Sequence, residues 1–157
     1  MAKKLSHINK DGNANMVDVA DKKNTSRAAS ASGKVVFPEN VFKTLVEQDF
    51  LSKKGSIIQT AIIAGIQAVK KTSDLIPLCH QIALSKVAID IQPKENSLVI
   101  LCTVKCIGQT GVEMEALTGV SVSALTIYDM CKALSHDISI TDIQLDKKTG
   151  GQNDFSR

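Results

Sequence analysis

The stretch LSKVAIDIQPKENSLVILCTVKCI, residues 84–107, decides the fold class of this chain. Apolar and polar residues alternate along Leu84–Gln92 and again along Ser97–Ile107, as they do in strands that bury one face. Pro93-Lys-Glu-Asn96 separates the two runs and has the composition of a turn. The stretch therefore predicts an antiparallel β-hairpin.

Further strands and helices surround this hairpin without a regular βαβ repeat. Small residues favour an extended segment over Thr25–Phe37, and alternation predicts a last strand over Ile138–Leu145. Helical spacing of apolar residues predicts helices over about 38–48, over about 56–71, and from Glu113 to about Ser135. This mixture indicates an α+β fold whose antiparallel sheet is covered by helices on one face.

The second predicted helix has two informative features. Ser56 suits its N-cap, because a serine hydroxyl can accept a hydrogen bond from a free backbone N–H of the first turn. Apolar residues cover most of its circumference, and a helix of that kind is buried or lies at a subunit contact.

Length and composition indicate one soluble domain. A chain of 157 residues and 16.8 kDa can bury a core of its own. Residues 1–15 are polar and predict a flexible N-terminal arm, and residues 147–157 predict a flexible C-terminal tail. The segment 16–146 remains as the single folded domain.

Several classes of protein are disfavoured by the same composition. The apolar stretches fall short of the roughly 18 residues that a membrane span needs, and no signal peptide is evident, so we expect a cytoplasmic protein without a membrane partner. A net charge of +3 is too small to indicate a nucleic-acid binder. It is compatible with a small anionic substrate.

The four cysteines are expected to be reduced thiols. Cys102 and Cys106 lie four residues apart in a predicted strand, hence on one face. They lack the Cys-x2-Cys pairing that is typical of structural zinc, so buried small side chains are the expected state and no metal site is predicted.

Three apolar runs contain groups that carry charge or protons: Leu75–His80, Gly111–Leu117 and Tyr128–Lys132. Their ionisable members are His80, Glu113, Glu115, Asp129 and Lys132. Charged side chains are rarely buried unless they are paired or functional. Acids, bases and cations among apolar neighbours therefore suggest a lined pocket.

At these runs the chain resembles a known family, the molybdenum cofactor biosynthesis protein C family of cyclic pyranopterin monophosphate synthases. The similarity extends from about residue 6 to about residue 151. The motifs that carry it are Met16-Val-Asp-Val19, Thr25-Ser-Arg27, Lys54-Gly55, Ala64-Gly-Ile-Gln67, Asp74-Leu-Ile-Pro-Leu-Cys-His80, Leu84-Ser-Lys86, Thr110-Gly-Val-Glu-Met-Glu-Ala-Leu117 and Ala124-Leu-Thr-Ile-Tyr-Asp-Met-Cys-Lys-Ala133. One departure is Gln81, where family members usually carry proline.

The resemblance implies an enzyme, a phosphorus-oxygen lyase of molybdenum cofactor biosynthesis. It would convert 3′,8-cyclo-7,8-dihydro-GTP into cyclic pyranopterin monophosphate and pyrophosphate, after a radical S-adenosylmethionine GTP cyclase. It also implies a ferredoxin-like sheet and a homohexamer built as a trimer of dimers. No cofactor is expected to be required, although a Mg²⁺ ion on the substrate triphosphate stays open.

The resemblance makes Lys54, Asp129 and Lys132 the candidate catalytic residues. The two lysines would serve in acid/base chemistry or charge stabilisation, and Asp129 would orient a group or donate a proton. Considered alone, Lys54 could be a solvated turn lysine, and Asp129 with Lys132 could be a surface ion pair. Desolvation beside another cation would lower the proton affinity of Lys132, whereas the neighbouring carboxylate would oppose that shift.

The candidate substrate-binding residues are Asp18, Arg27, Leu78, Cys79, His80, Glu113, Met114 and Glu115. His80 and Arg27 would contact phosphates, since imidazole and guanidinium groups bind anions. Glu113 and Glu115 would accept N–H donors of a purine-derived ring. Alternatively, His80 is a hydrogen-bonded histidine of the core, and Glu113 and Glu115 are acids that complement the helix dipole.

The length of the last predicted helix adds an inference about assembly. Glu115 and Lys132 lie about 25 Å apart at 1.5 Å per residue, too far for one nucleotide-sized ligand to contact both within one subunit. A site that uses both must be shared between subunits.

A small α+β module that binds RNA or a regulatory ligand without catalysis is the competing class. RNA readers of this shape stack bases on aromatic residues of the sheet. The four phenylalanines all lie outside the two hairpin strands, so the sequence argues against this class.

Overall fold

The computed structural model describes residues 7–157, and an antiparallel sheet is its largest unit. The strands are β1 (Thr25–Val36), β2 (Leu51–Ser52), β3 (Gly55–Ser56), β4 (Leu84–Lys94), β5 (Ser97–Gly108), β6 (Ser139–Thr149) and β7 (Phe155–Ser156). Five of them form one sheet in the order β4-β5-β1-β6-β7, and β2 pairs only with β3. All neighbours in the large sheet are antiparallel, as the sequence predicted.

The helices cover one face of this sheet. They are α1 (Glu39–Glu47), α2 (Ile57–Lys70), α3 (Thr72–Leu75) and α4 (Glu113–Cys131). The two long helices, α2 and α4, pack against each other. Helix α4 also packs against strands β1, β5 and β6, and helix α2 packs against strand β4. The α+β prediction is therefore confirmed, and the order β1-α2-β4-β5-α4-β6 is compatible with a ferredoxin-like arrangement.

Strand β5 shows why the hairpin could be recognised. Its even-numbered residues Leu98, Ile100, Cys102, Val104 and Cys106 are buried under the helices. Leu101 and Ile107 are exposed on the opposite face. Burial raises the pKa of the Cys102 thiol to about 12, so this cysteine is a neutral core residue, as expected.

The predicted turn at Pro93–Asn96 is wrong in length. Pro93 still pairs with Leu98 and Lys94 with Ser97, so only Glu95 and Asn96 connect the strands. The proline is tolerated because β4 is an edge strand, where one side of the backbone needs no ladder bond. Glu95 takes a positive φ of 53°, which a two-residue connection commonly demands.

The helix start at Ser56 is confirmed, and a close helix crossing follows it. The Ser56 hydroxyl accepts a hydrogen bond from the Gln59 backbone N–H. At the crossing, a Cβ on Gly65 would lie only 2.9 Å from the carbonyl oxygen of Gly119, so glycine is needed there. The hydroxyl of Ser123 donates a 3.0 Å hydrogen bond to the Ala61 carbonyl across the same contact.

The C-terminal end of the chain differs from the expected flexible tail. Strand β6 continues to Thr149, and β7 pairs with it, so much of 147–157 has regular structure. In the N-terminal segment, residues 7–24, the only bridge joins Ile8 and Ala14. Residues 1–6 of the predicted arm lie outside the described residues.

Candidate functional site

A first cavity of about 270 Å³ lies where three segments meet. The start of α4, the loop that joins α3 to β4, and the N-terminal segment surround it. The predicted binding residues that line it are Leu78, Cys79, His80, Glu113, Met114 and Glu115. The structure therefore brings six of the candidate residues to one place.

A second cavity of about 220 Å³ adjoins the first. Arg27 from β1, Lys148 from β6 and Lys22 from the N-terminal segment line it. Lys22 and Glu113 line both cavities. The second cavity therefore places cationic side chains next to the cavity that holds the two glutamates, which is a suitable setting for an anion.

The two glutamates at the start of α4 differ in their surroundings. Glu115 is only 4% exposed, and burial raises its pKa, with a further contribution from the charge of Glu113, while its own backbone N–H opposes the shift. Glu113 is half-buried and pairs with Lys148 at 3.1 Å. Glu115 is therefore not simply a surface acid that complements the helix dipole.

His80 is held by the N-terminal segment. Its Nε2 lies 2.7 Å from the backbone carbonyl oxygen of Val17. A carbonyl only accepts hydrogen bonds, so Nε2 carries the proton and donates it. The neighbouring thiol of Cys79 has a raised pKa because it is buried and because Glu115 is nearby, which favours its neutral form.

Arg27 already supports the loop that leads into α4. Its Nε donates to the Gly108 carbonyl at 3.2 Å and its Nη2 to the Gln109 carbonyl at 3.1 Å. The Nη1 group takes no part in these two bonds. Arg27 thus holds the start of α4 in place and still lines the second cavity.

The candidate catalytic residues lie at the other end of α4. Lys132 Nζ is 2.6 Å from Asp129 Oδ1, and both side chains are more than half exposed. The hydrogen bond from Lys132 to Asp129 and the negative charge of that carboxylate raise the pKa of Lys132. In a single chain, the carboxylate therefore outweighs the opposing effect of desolvation on this pKa. Lys132 lowers the pKa of Asp129, and the charge of Lys54 adds to that effect, so Lys54 lies within electrostatic range of this pair and is grouped with it.

The cluster of Lys54, Asp129 and Lys132 lines neither of the two cavities. Helix α4 separates it from Glu115 by about 25 Å at 1.5 Å per residue. A single chain therefore presents two groups of candidate residues rather than one site. Asp18 also lines neither cavity. Its carboxylate accepts a 2.9 Å hydrogen bond from the Ala20 backbone N–H.

Two cavity residues, Lys22 and Lys148, were not predicted from the sequence. Lys22 lies in a polar connecting stretch, and Lys148 lies in the segment that was expected to be a tail. The only available signal was a basic residue close to a family-like stretch, the Met16–Val19 motif for Lys22 and the end of the similarity at about residue 151 for Lys148.

Comparison with known families identifies the chain. A family model described as the MoaC family matches residues 16–151. This chain belongs to the MoaC family. The matched residues include the cluster at the far end of α4 and the lining of both cavities, except His7 in the first and Gln152 and Asn153 in the second. Within residues 7–157, no helix is long and apolar enough to cross a bilayer, and no three potential metal ligands come together.

Similar proteins carry consistent names. A "cyclic pyranopterin monophosphate synthase" of Helicobacter hepaticus is 50% identical over 98% of this chain and 97% of its own length. A "cyclic pyranopterin monophosphate synthase" of Parvibaculum lavamentivorans is 49% identical over 97% of this chain and 95% of its own length. The "Molybdenum cofactor biosynthesis protein 1" of Drosophila melanogaster is 48% identical over 98% of this chain, which covers 27% of that longer protein. This chain therefore corresponds to nearly the whole of these bacterial relatives.

Proposed function

We propose that this chain is a cyclic pyranopterin monophosphate synthase, a lyase of molybdenum cofactor biosynthesis. Its substrate would be 3′,8-cyclo-7,8-dihydro-GTP and its products cyclic pyranopterin monophosphate and pyrophosphate. Relatives of about half identity over nearly the full length bear the synthase name. The structural observation that carries the proposal is the pair of adjoining cavities, one with a buried glutamate and one lined by cationic side chains.

In this proposal the first cavity holds the ring system of the substrate. Glu113 and Glu115 face it and can accept ring N–H donors. The raised pKa of Glu115 also suits a group that takes part in proton exchange with the substrate. Leu78 and Met114 supply the apolar contact that a planar ring needs.

The second cavity holds the phosphates in the same proposal. Lys22, Arg27 and Lys148 would neutralise their charge and stabilise the pyrophosphate that leaves. His80 lines the first cavity and would contact the phosphate that remains on the product. A Mg²⁺ ion on the triphosphate is compatible with this arrangement, and no other cofactor is required in it.

Lys54, Asp129 and Lys132 would come from a second subunit. They are too far from Glu115 to meet the same nucleotide within one chain. When a partner covers the cluster, desolvation and the nearby Lys54 favour release of a proton from Lys132, and Asp129 holds its ammonium group in position. The assembly we propose is a cytoplasmic homohexamer, a trimer of dimers, that acts after a radical S-adenosylmethionine GTP cyclase.

The RNA-binding alternative gains no support from the fold. None of the four long strands carries an aromatic residue. Phe37, Phe42 and Phe50 are buried and contact one another in the core. The sheet therefore offers no aromatic stacking platform for bases.

The proposed activity is tested with the cyclase-generated intermediate as substrate. We expect release of pyrophosphate together with cyclic pyranopterin monophosphate, and none from GTP. A folded protein that releases no pyrophosphate from the intermediate would contradict the proposal. A salt-sensitive shift of RNA by the same protein would support the alternative.

A further inference from the structure

The N-terminal segment 16–24 brings Lys22 to both cavities, yet it has no strand or helix of its own. Most of its side chains are exposed. Among the described residues 7–157, two hydrogen bonds tie this segment to the rest of the fold, and a side chain of the fold makes each of them. One is the bond between His80 and the Val17 carbonyl. Few contacts therefore fix the position of Lys22.

Gln109 makes the second of these bonds and lies in the loop between β5 and α4. Its side-chain Nε2 donates to the Ala20 carbonyl oxygen at 3.2 Å. Its backbone carbonyl accepts the 3.1 Å hydrogen bond from Arg27 Nη2. One loop residue therefore links the N-terminal segment to the arginine of the second cavity, which Gln109 itself also lines.

The carbonyl that Gln109 holds belongs to the turn that presents Lys22. The Lys22 backbone N–H donates to the Val19 carbonyl at 2.9 Å, which closes a β-turn. Inside the segment, the Asp18 carboxylate accepts the Ala20 N–H. The N–H and the carbonyl of Ala20 are thus both bonded, one to Asp18 and the other to Gln109. A turn held at this point keeps the lysine that ends it beside the cavities.

Lys22 has the least support of the three cations in the second cavity. Arg27 belongs to β1 and is bonded to the loop before α4. Lys148 belongs to β6 and pairs with Glu113. Lys22 is exposed and lies outside regular structure. A cation that has to be ordered when an anion binds loses part of its binding energy to conformational entropy. A bond that orders it beforehand therefore strengthens anion binding.

We infer that Gln109 is a positioning residue for the phosphate chain of the substrate. Its amide holds the turn, so that Lys22 is already in place at the second cavity when a diphosphate or triphosphate group binds. The inference rests on the proposed function, because it takes the second cavity as the phosphate site. Gln109 acts through Lys22 and has no role at the reacting atoms.

Binding of inorganic pyrophosphate to the full chain, measured by isothermal titration calorimetry, tests this role. Gln109→Met keeps the length of the side chain but removes its donor. We expect the affinity to fall roughly three- to tenfold, the effect of one hydrogen bond. Lys22→Met should weaken binding as well. In the Lys22→Met background, Gln109→Met should change the affinity by no more than about twofold, because the turn then carries no cation.

Gln92→Met is the matched control. Gln92 is an exposed glutamine of β4 that lines neither cavity, and its Nε2 also donates a side-chain hydrogen bond, to Asp90. This variant should bind pyrophosphate as the wild type does. Wild-type affinity in Gln109→Met or in Lys22→Met would overturn the inference. Equal losses from Gln109→Met with and without Lys22, or a wild type that does not bind pyrophosphate, would overturn it too.

Hydrogen–deuterium exchange gives a second measurement, on the turn itself. The amides of Ala20 and Lys22 are hydrogen-bonded within the segment. They should exchange faster in Gln109→Met than in the wild type, and pyrophosphate should slow them again. Unchanged protection of β5 would show that the fold is intact. Exchange of residues 16–24 at the wild-type rate in Gln109→Met would overturn the positioning role.

Neither measurement uses turnover, so the two proposals can fail separately. A protein that shows both expected results, yet releases no pyrophosphate from the cyclase-generated intermediate, would count against the proposed function. An active enzyme in which Gln109→Met changes neither pyrophosphate affinity nor exchange would count against the role of Gln109 alone.

Discussion

Lys54 and Lys132 are exposed in the single subunit, and this makes their proposed role testable without damage to the fold. Lys54→Met or Lys132→Met removes the cation but keeps a long side chain. We expect turnover to fall by roughly a hundredfold, as loss of a general acid or base commonly does. Steady-state pyrophosphate release measures this effect.

Lys43→Met is the matched control, since Lys43 is an exposed lysine of α1 that lines neither cavity and does not contribute to the pKa shifts of Asp129 and Lys132. It should retain wild-type turnover. If either Lys54→Met or Lys132→Met matched this control, that lysine would have no place in the catalytic set.

Glu115 predicts a pH-dependent stability. Its pKa is raised by burial, so the native state holds this proton more tightly than the unfolded chain does. Between the unfolded and native pKa values, the free energy of unfolding therefore decreases as pH rises. Relative to Glu115→Gln, the wild type should gain stability as pH falls from 7 through this window.

Urea unfolding of both proteins at a series of pH values measures this difference. Groups that titrate equally in the two proteins cancel from the difference in their free energies of unfolding. The buried amide of Glu115→Gln adds an offset that does not depend on pH, so the pH trend of this difference is unaffected. A stability difference that stays constant between pH 7 and pH 4 would mean that the environment of Glu115 does not disfavour its charge.

The cavity residues were predicted where local composition carried the signal. His80 and Glu115 were found because ionisable groups stood inside apolar runs, whereas Cys79 was predicted only through the family resemblance. Lys22 and Lys148 were missed because nothing in their local sequence distinguishes them from solvated lysines. Lys148 reaches Glu113 only because β6 runs beside the start of α4, which is a tertiary relation.

The crossing of α2 and α4 fixes the spacing of the helix layer, and Gly65 is its most sensitive point. Gly65→Ala would place a methyl group 2.9 Å from the Gly119 carbonyl oxygen, between two backbones that cannot easily move apart. Overpacking of this kind costs about 1–3 kcal/mol. Urea denaturation should show this loss in the free energy of unfolding.

Gly108→Ala provides the control for this substitution. A Cβ there would meet only the Cys106 sulfur, at an ordinary distance of 3.7 Å. We expect a far smaller change in stability than at Gly65. Equal effects at the two positions would show that the close crossing does not limit the packing of the layer.

The long elements followed from the sequence because each carries a clear period. Strand β6 was cut short at Leu145 because bulges shift its register against β1, which breaks the alternation on which the prediction depended. The short elements α3, β2, β3 and β7 have too few residues to show any period. They depend on neighbours that sequence spacing does not reveal.

The chain as a whole presents two groups of candidate residues, the cavity residues at the start of α4 and the Lys54, Asp129 and Lys132 cluster at its end. The length of α4 was sufficient to predict this separation from the sequence, because rise per residue is nearly constant in helices. The surface on which a second copy would supply the missing half of the proposed site could not be predicted in the same way. Exposure of Leu125, on a helix with no charged residue between Glu115 and Asp129, became visible only once α2 and α4 were placed on the sheet.

The most direct measurement of the central claim mixes two inactive proteins, Lys132→Met and His80→Ala, under conditions of subunit exchange. In a shared site, His80 from one variant and Lys132 from the other rebuild an intact site. With equal amounts and random pairing, about a quarter of the wild-type activity should return, since each half of a site is intact half of the time. If mass analysis confirms exchange and no activity returns, the shared site is contradicted.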